Sequence, residues 1–345
     1  MNNLLEKLYE TNNLTKEGIL FILDNIDDST KYNLYQLAQK TLDRTYGRRL
    51  FVRGLLEFTN YCKNNCMYCG IRRENRNVER YRLSEDEILL SLDEGYRLGY
   101  KTFVLQGGED SFFTDDILVN LIKEIKKRYK DVALTLSIGE KNFESYEKYY
   151  IAGADRFLLR HEVANPYIYN SLHPGMYFQN RVDCLYNLKK IGYQSGAGFI
   201  VGLPGETNEV LADNLLFLKQ LEPAMVGIGP FIPHPDTPLS NETIGSVDKT
   251  IILLALIRLL LPDVLLPATT ALNTLCKNGL ERGLEAGANV VMLNLSPIYV
   301  REKYEIYKDK DSRDIHELKT VEEKASSVGF RVDMGRGDNI NFGRV

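Results

Sequence analysis

Apolar positions along the chain return in two alternating rhythms. Short apolar or β-branched runs occur at 51–58, 102–106, 133–138, 156–160, 197–202, 225–231, 265–270 and 289–293. Between them lie stretches such as SEDEILLSLDEGYRLG, TDDILVNLIKEIKKRY, NRVDCLYNLKKIG and TNEVLADNLLFLKQL, whose apolar residues recur every three or four positions. The first rhythm is that of buried strands and the second that of amphipathic helices. Eight strands alternating with helices predict an α/β protein, and the count of eight favours a complete (β/α)8 barrel of the TIM type over an open sheet. Residues 1–48 read as helices, with Thr15 placed to cap LTKEGILFILDNI and Gly47 placed to stop KYNLYQLAQKTLDRTYG. The expected organisation is an N-terminal helical extension (1–48), the barrel (49–300) and a short C-terminal tail (301–345) that closes it. The tail holds one further helix, TVEEKASSVG, and a glycine-rich end, MGRGDNINFGRV.

Composition narrows the class. The net charge of −4 argues against a broad nucleic-acid surface. The longest apolar run, IILLALIRLLLPDVLLP, is interrupted by Arg258, Pro262 and Asp263, as suits a buried helix followed by a strand and not a membrane span. MNNLLEKLYE lacks the basic start and apolar core of a signal peptide. Five unevenly spaced cysteines fit a reducing compartment, so a cytoplasmic protein is expected. No coiled-coil or interface stripe is visible, and a monomer is expected.

Polar groups collect where the strands end. Cys62 follows the first run, QGGED the second, SIGE the third, RHE the fourth, GLPGE the fifth, PFIPHPDTP the sixth and ATTALNT the seventh. Barrel enzymes build their sites from the loops at the C-terminal ends of the strands. That repeated coincidence predicts an enzyme.

Cys62, Cys66 and Cys69 form C-x3-C-x2-C, with Tyr68 directly before the third cysteine. A disulfide would leave one thiol over. A zinc site would lack a fourth ligand, and none of the four histidines lies nearby in sequence. Three thiolates at this spacing suit a 4Fe-4S cluster whose fourth iron stays open for the amine and carboxylate of an exogenous amino acid. The motif resembles that of the radical SAM superfamily, in which the cluster reduces S-adenosylmethionine to give a 5′-deoxyadenosyl radical. In that setting the backbone of Gly107, Gly108 and Glu109 would meet the ammonium group of S-adenosylmethionine. GFIVGLPGET either packs beside the adenine or is a buried strand and turn.

Longer segments sharpen the resemblance. CMYCGIRRENRNVERYRLS, TFVLQGGED, LTLSIGE, GADRFLLRHEVANP, GAGFIVGLPGET, MVGIGPFIPHPDTPL and LPATTAL together resemble the HydE family, the radical SAM maturases of FeFe-hydrogenase. The resemblance implies that the barrel encloses a cavity and processes a small organometallic substrate, a cysteine-bound iron carbonyl cyanide species. It also implies other maturation proteins and an electron donor as partners. Cys62, Cys66 and Cys69 match the cluster ligands. Glu162 and Arg181 match positions holding the methionine part of the cofactor, and Ser137 lies in the matching segment. Gln106, Thr135, Arg160, Thr269, Thr270 and Tyr307 match positions facing the substrate, with Tyr304 an equally close match for Tyr307. Glu162 and Arg181 also fit a structural ion pair, and the threonines also fit a strand.

Two departures from the family stand out. Residues 277–345 contain no cysteine, so no accessory C-terminal cluster is expected, and Gly107 stands where some members have serine. Cys184 and Cys276 read as ordinary residues and His161 as a packed or hydrogen-bonded neighbour of the site. Two other readings remain at this point. One is an isomerase resembling methylornithine synthase; the other is a non-catalytic iron–sulfur scaffold. Biotin synthase fits less well, because the strands carry no further cysteines.

Overall fold

The computed structural model describes residues 1–311 and 313–342. The chain begins with helices α1 (Asn2–Thr11), α2 (Lys16–Asn25) and α3 (Asp28–Thr45), then enters β1 (Arg49–Thr59). Alternation follows: α4 (Glu85–Arg97), β2 (Thr102–Gly107), α5 (Asp115–Arg128), β3 (Ala133–Ser137), α6 (Phe143–Ala152) and β4 (Arg156–Leu158). Next come α7 (Pro166–Leu172), α8 (Phe178–Ile191), β5 (Gln194–Ala197), β6 (Ile200–Val201), α9 (Asn208–Leu221), β7 (Met225–Val226) and β8 (Gly229–Pro230). The remaining elements are α10 (Val247–Leu260), α11 (Thr270–Leu275), α12 (Gly279–Glu285), β9 (Val290–Asn294), α13 (Ile298–Arg301), α14 (Leu318–Ser327) and β10 (Arg331–Asp333).

The strands are parallel in the order β9–β1–β2–β3–β4–β5–β7. Single parallel bridges, Met225 to Leu265 and Pro267 to Val290, carry the ring back to β9 and close it. The eighth wall is thus residues 265–267, reduced to bridges because Pro267 has no N–H to donate. The complete (β/α)8 barrel expected from the hydrophobic rhythm is the architecture found.

Two strands differ from the expectation. The fifth wall starts at Gln194 and not at 197, because Gln194, Ser195 and Gly196 are too polar and small to read as a buried strand. Gly198, at φ +146°, turns the chain out of the ladder where a Cβ would stand 1.9 Å from the Gly227 carbonyl oxygen. The expected run 225–231 divides likewise, and its second half, β8, pairs with β6 in a small separate ladder.

Local signals explain the outer layer. The Thr15 hydroxyl accepts from the Gly18 N–H at 3.2 Å and caps α2, and Gly47 adopts φ +63° just beyond α3. α3 packs against α10 and α2 against α9, so the N-terminal helices lie on the barrel's outer helices. α10 is apolar all round and buried on every face; Arg258 is its one buried cation. That guanidinium donates to the carbonyls of Gly287, Pro262 and Val264 and to Asn289, pinning the helix to the barrel.

Residues beyond 300 cover both ends. The stretch 303–311 lies over the C-terminal ends of the strands, where Lys310 meets Glu57 at 2.7 Å. β10 pairs with Arg49–Phe51 of β1, and the chain then crosses the N-terminal ends. There the Arg336 carbonyl accepts from Thr102 and Arg156, while Asp338 accepts from Arg156 and Gln194. The Asn339 amide reaches the carbonyls of Ala224 and Asp263. Of the glycine-rich end, residues 343–345 lie outside the described residues.

Candidate active site

The cysteine loop leaves β1 at Asn60 and is folded by cations turned inward. Arg80 donates to the carbonyls of Asn60, Ile71, Arg72 and Asn75, gathering the loop around one guanidinium. Arg82 forks onto Asp110 at 2.6 and 3.0 Å, and Thr59 donates to the same carboxylate at 2.8 Å. This bidentate pair fastens the loop to the turn after β2. The Gly70 N–H donates to the Ile306 carbonyl, and the Met67 N–H donates to the Leu172 carbonyl. The thiols are therefore held from three sides.

Gly107 ends β2, and Gly108 lies so close to the loop that a Cβ there would meet the Tyr61 carbonyl oxygen at 2.2 Å and the Cys62 Cβ at 2.8 Å. Only glycine permits this approach. Glu109 accepts from the Lys63 N–H through its carbonyl and from the Glu140 N–H through its carboxylate, which also faces Lys63 at 3.3 Å. Its side chain thus braces the loop.

Cys62, Cys66 and Cys69 are half-buried. Burial pushes all three thiols up, Cys69 to about 12, and for Cys66 the neighbouring Cys69 and Cys62 add to the effect. Thiolates form here only against compensating positive charge, as a bound metal supplies. Among the described residues no three His, Cys, Asp or Glu side chains converge on one ion. Three cysteines at C-x3-C-x2-C spacing suit a cubane, which takes each thiolate on a separate iron, whereas structural zinc takes four protein ligands. The donor set fits the cluster.

Tyr68 is fixed by a chain the sequence did not reveal. The His173 Nδ1 donates to the Tyr169 carbonyl at 2.7 Å, so Nε2 is unprotonated and accepts from the Tyr68 hydroxyl at 2.7 Å. The His173 ring stacks on Tyr169 at 4.1 Å. Burial lowers His173 to about 3, which keeps it neutral.

Glu162 follows β4 at φ +63°, a left-handed conformation that costs a β-carbon-bearing residue about 1–3 kcal/mol. Its backbone bridges Gly198 and Ile200, which holds the strain in place. One carboxylate oxygen lies 3.3 Å from the Arg160 Nε; the other, Oε2, is buried and has no partner. This carboxylate acts electrostatically on Cys66, Cys69 and Tyr68. Arg181, on α8, donates to Glu140 at 2.7 Å and to the Arg160 carbonyl, and is not paired with Glu162. Burial opposes its charge, but Tyr169 and Glu140 outweigh burial and raise its pKa. A structural Glu162–Arg181 pair is thereby set aside.

Glu57, Gln106 and Ser137 stand side by side in register at the rim. Gln106 and Ser137 keep partial exposure, while Thr135, on the next row inward along β3, is fully buried with an unpartnered hydroxyl. Thr270 and Tyr307 share a hydrogen bond at 2.7 Å, and Thr269 donates to the Ile228 carbonyl. Tyr304 is buried, with the Lys310 ammonium 5.5 Å from its ring centre. The two tyrosines therefore occupy different places over the barrel mouth.

Sequence reasoning passed over Glu57 and Lys310, whose side chains are 0% and 6% exposed. The Asn294 amide donates to the second Glu57 oxygen at 3.0 Å. A lone carboxylate inside LLEF, a run buried on both faces, was the available signal. His161 is buried between Asn214 and the Gly198 N–H, and burial lowers it to about 3. Cys184 is buried on α8, and Cys276 lies beside Asn278 and Arg282, away from the cysteine loop.

Comparison with known proteins agrees with this layout. The radical SAM superfamily model matches residues 56–218. The [FeFe] hydrogenase maturase subunit HydE of Thermotoga maritima is 47% identical over 89% of this chain and 87% of its own. The 3-methylornithine synthase of Methanosarcina acetivorans is 28% identical over 94% and 92%. A crystal structure of methylornithine synthase superposes with a TM-score of 0.84 at 26% identity, covering 96% of this chain and 97% of that one. A crystal structure of HydG, a maturase of the [FeFe]-hydrogenase, shares the fold, with a TM-score of 0.80 at 19% identity over 96% of this chain and 75% of its own. The match to the superfamily model and 47% identity over 89% of the chain place it among the radical SAM enzymes, as a member of the HydE family.

Proposed function

We propose that this enzyme binds a 4Fe-4S cluster through Cys62, Cys66 and Cys69 and cleaves S-adenosylmethionine reductively. In this reading it acts on a cysteine-bound iron carbonyl cyanide precursor in assembly of the FeFe-hydrogenase cofactor. The observation that carries the reading is the free Oε2 of Glu162. A buried carboxylate oxygen without a partner, held in a strained backbone beside the thiols, is a site for a cation such as the ammonium of S-adenosylmethionine. The 47% identity to the Thermotoga HydE supports the maturation role.

When bound, the cluster and S-adenosylmethionine supply the adenosyl radical. The chain's residues do the rest. Glu162 takes the ammonium, Arg181 fixes the Arg160 carbonyl and stands by for a carboxylate, and the backbone of Gly107–Glu109 lines the same end with Ser137 and Tyr68. Arg160, Thr135, Thr269, Thr270, Gln106 and Tyr307 orient an anionic substrate by charge and hydroxyl contacts. Residues 303–311 exclude water from above. The protein acts as a cytoplasmic monomer, takes electrons from a donor protein and passes product to other maturation factors. With no cysteine in residues 277–345, it carries no accessory C-terminal cluster. No helix among the described residues is long and apolar enough to cross a membrane.

The test is anaerobic reconstitution with iron and sulfide, followed by reduction. A charge-transfer absorbance, an EPR signal that shifts on adding S-adenosylmethionine, and 5′-deoxyadenosine formation are expected, and all three disappear in Cys66→Ser. No cleavage by the reduced wild type sinks the enzyme reading. Restoration of hydrogenase activity in a maturation mixture lacking HydE supports the role; conversion of lysine to methylornithine replaces it.

A further inference from the structure

We infer that Asn214, on α9, is a positioning residue for S-adenosylmethionine. Together with His161 it clamps the turn that aims Glu162, a role that rests on the reading of Glu162 above. Glu162 is the middle residue of a γ-turn, closed by the Val163 N–H donating to the His161 carbonyl at 2.8 Å. With φ at +63° this is the strained form of that turn, which a non-glycine residue keeps only where its surroundings impose it. On one side the neighbouring strand imposes it. The Glu162 N–H donates to the Gly198 carbonyl, and the Glu162 carbonyl accepts from the Ile200 N–H, each at 3.0 Å. Those two bonds fix one edge of the turn and leave its ends free.

The Asn214 side chain holds the ends. Its Oδ1 accepts from the Ala164 N–H at 2.6 Å and lies 3.2 Å from the His161 Nε2. The Gly198 N–H donates to Nδ1 of the same ring at 3.4 Å, so the neutral imidazole carries its proton on Nε2 and donates it to Oδ1. One oxygen thus ties residue 161 to residue 164 across the strained position. The Ala164 bond also fixes which amide atom faces the turn, because only the oxygen can accept from an N–H.

Both His161 and Asn214 are 0% exposed. The imidazole lies 4.7 Å from the Phe217 ring and 5.8 Å from that of Phe199. Asn214 and Phe217 stand three residues apart on α9 and so share a face of the helix. Apolar side chains of similar size would fill this space with no polar group to satisfy. The amide present leaves its own Nδ2 buried without a partner, a cost that packing does not explain. What the amide and the imidazole achieve together is the conformation of Glu162, whose Oε2 is the open acceptor of the site.

The test is a double-mutant cycle read as the Kd for S-adenosylmethionine, by calorimetry on the reconstituted enzyme. The proteins are wild type, Asn214→Leu, Glu162→Gln and the two combined, each checked for folding by circular dichroism and for its cluster by EPR. Asn214→Leu alone should raise Kd about tenfold, but less than about twofold beside Glu162→Gln, because it acts through that carboxylate. A merely structural asparagine gives the same factor in both backgrounds; that result, or an unchanged Kd, overturns the clamp. Should Asn214→Leu not fold, His161→Phe takes its place, since it keeps the ring contacts and removes both hydrogen bonds. It should cost about threefold alone and nothing further beside Glu162→Gln, and equal factors again overturn the clamp. A Glu162→Gln variant that binds as tightly as wild type is a separate outcome: it removes the reading of Glu162, and the clamp falls with it.

Discussion

At the N-terminal end of the barrel, the Asp338 carboxylate accepts from Arg156 and Gln194 at 2.7 Å each and from Arg336 at 2.9 Å. At the other end, Glu162 has Arg160 at 3.3 Å on one oxygen and nothing on the second. Burial favours the neutral acid at Asp338, yet Arg336 and Arg156 outweigh it and hold the group down to about 2. A carboxylate saturated by its own chain is a structural tie. One left half-satisfied in strained backbone is preorganised for something else. The distinction separates stability from function along a single barrel axis.

Four substitutions or titrations test that separation, the largest effect first. Asp338→Asn should destabilise the fold by about 3 kcal/mol in urea unfolding, since it strips the charge partner from a fully buried Arg156. Its affinity for S-adenosylmethionine should stay unchanged; a loss of affinity there would erase the contrast. Glu162→Gln should do the reverse. Stability should hold, while the Kd for S-adenosylmethionine rises roughly thirtyfold, about 2 kcal/mol, in calorimetry.

The third test is by pH. His161 and His173 are neutral in the fold, with pKa values lowered to about 3. Below about pH 6.5 the unfolded chain binds the protons that the native state refuses, so stability is present above that pH and falls as acid is added, towards pH 3. The slope is about 1.4 kcal/mol per pH unit for each histidine, and His173→Gln should remove half of it. A slope that does not change in that variant contradicts the buried neutral ring. The smallest effect is Thr135→Val. Removing an unpartnered buried hydroxyl should leave stability equal or raise it by up to about 1 kcal/mol, while turnover falls if the hydroxyl serves the substrate.

Legibility in the sequence followed the range of the interactions. The barrel was readable because each strand and helix announces itself by local periodicity, and the three cysteines because their spacing is local. The wall at 265–267 was readable as a run, but its lack of a ladder depends on Pro267 and on neighbours far along the chain. The start of β5 was missed because its inward residues are small or polar. Glu57 with Lys310, and Asp338 with Arg156, join segments that only the closed fold brings together. Arg181 was matched to a place near the cofactor, yet its salt-bridge partner, Glu140, could be found only in three dimensions.

The stretch 303–341 supplies both the cover over the rim and the crossing beneath it. On the ribosome, every barrel strand emerges before either. Those residues supply the contacts at both ends of the barrel, among them the Gly70–Ile306 tie of the cysteine loop. A chain cut short before residue 303 would therefore keep every strand of the barrel wall and lose the cover and the crossing together.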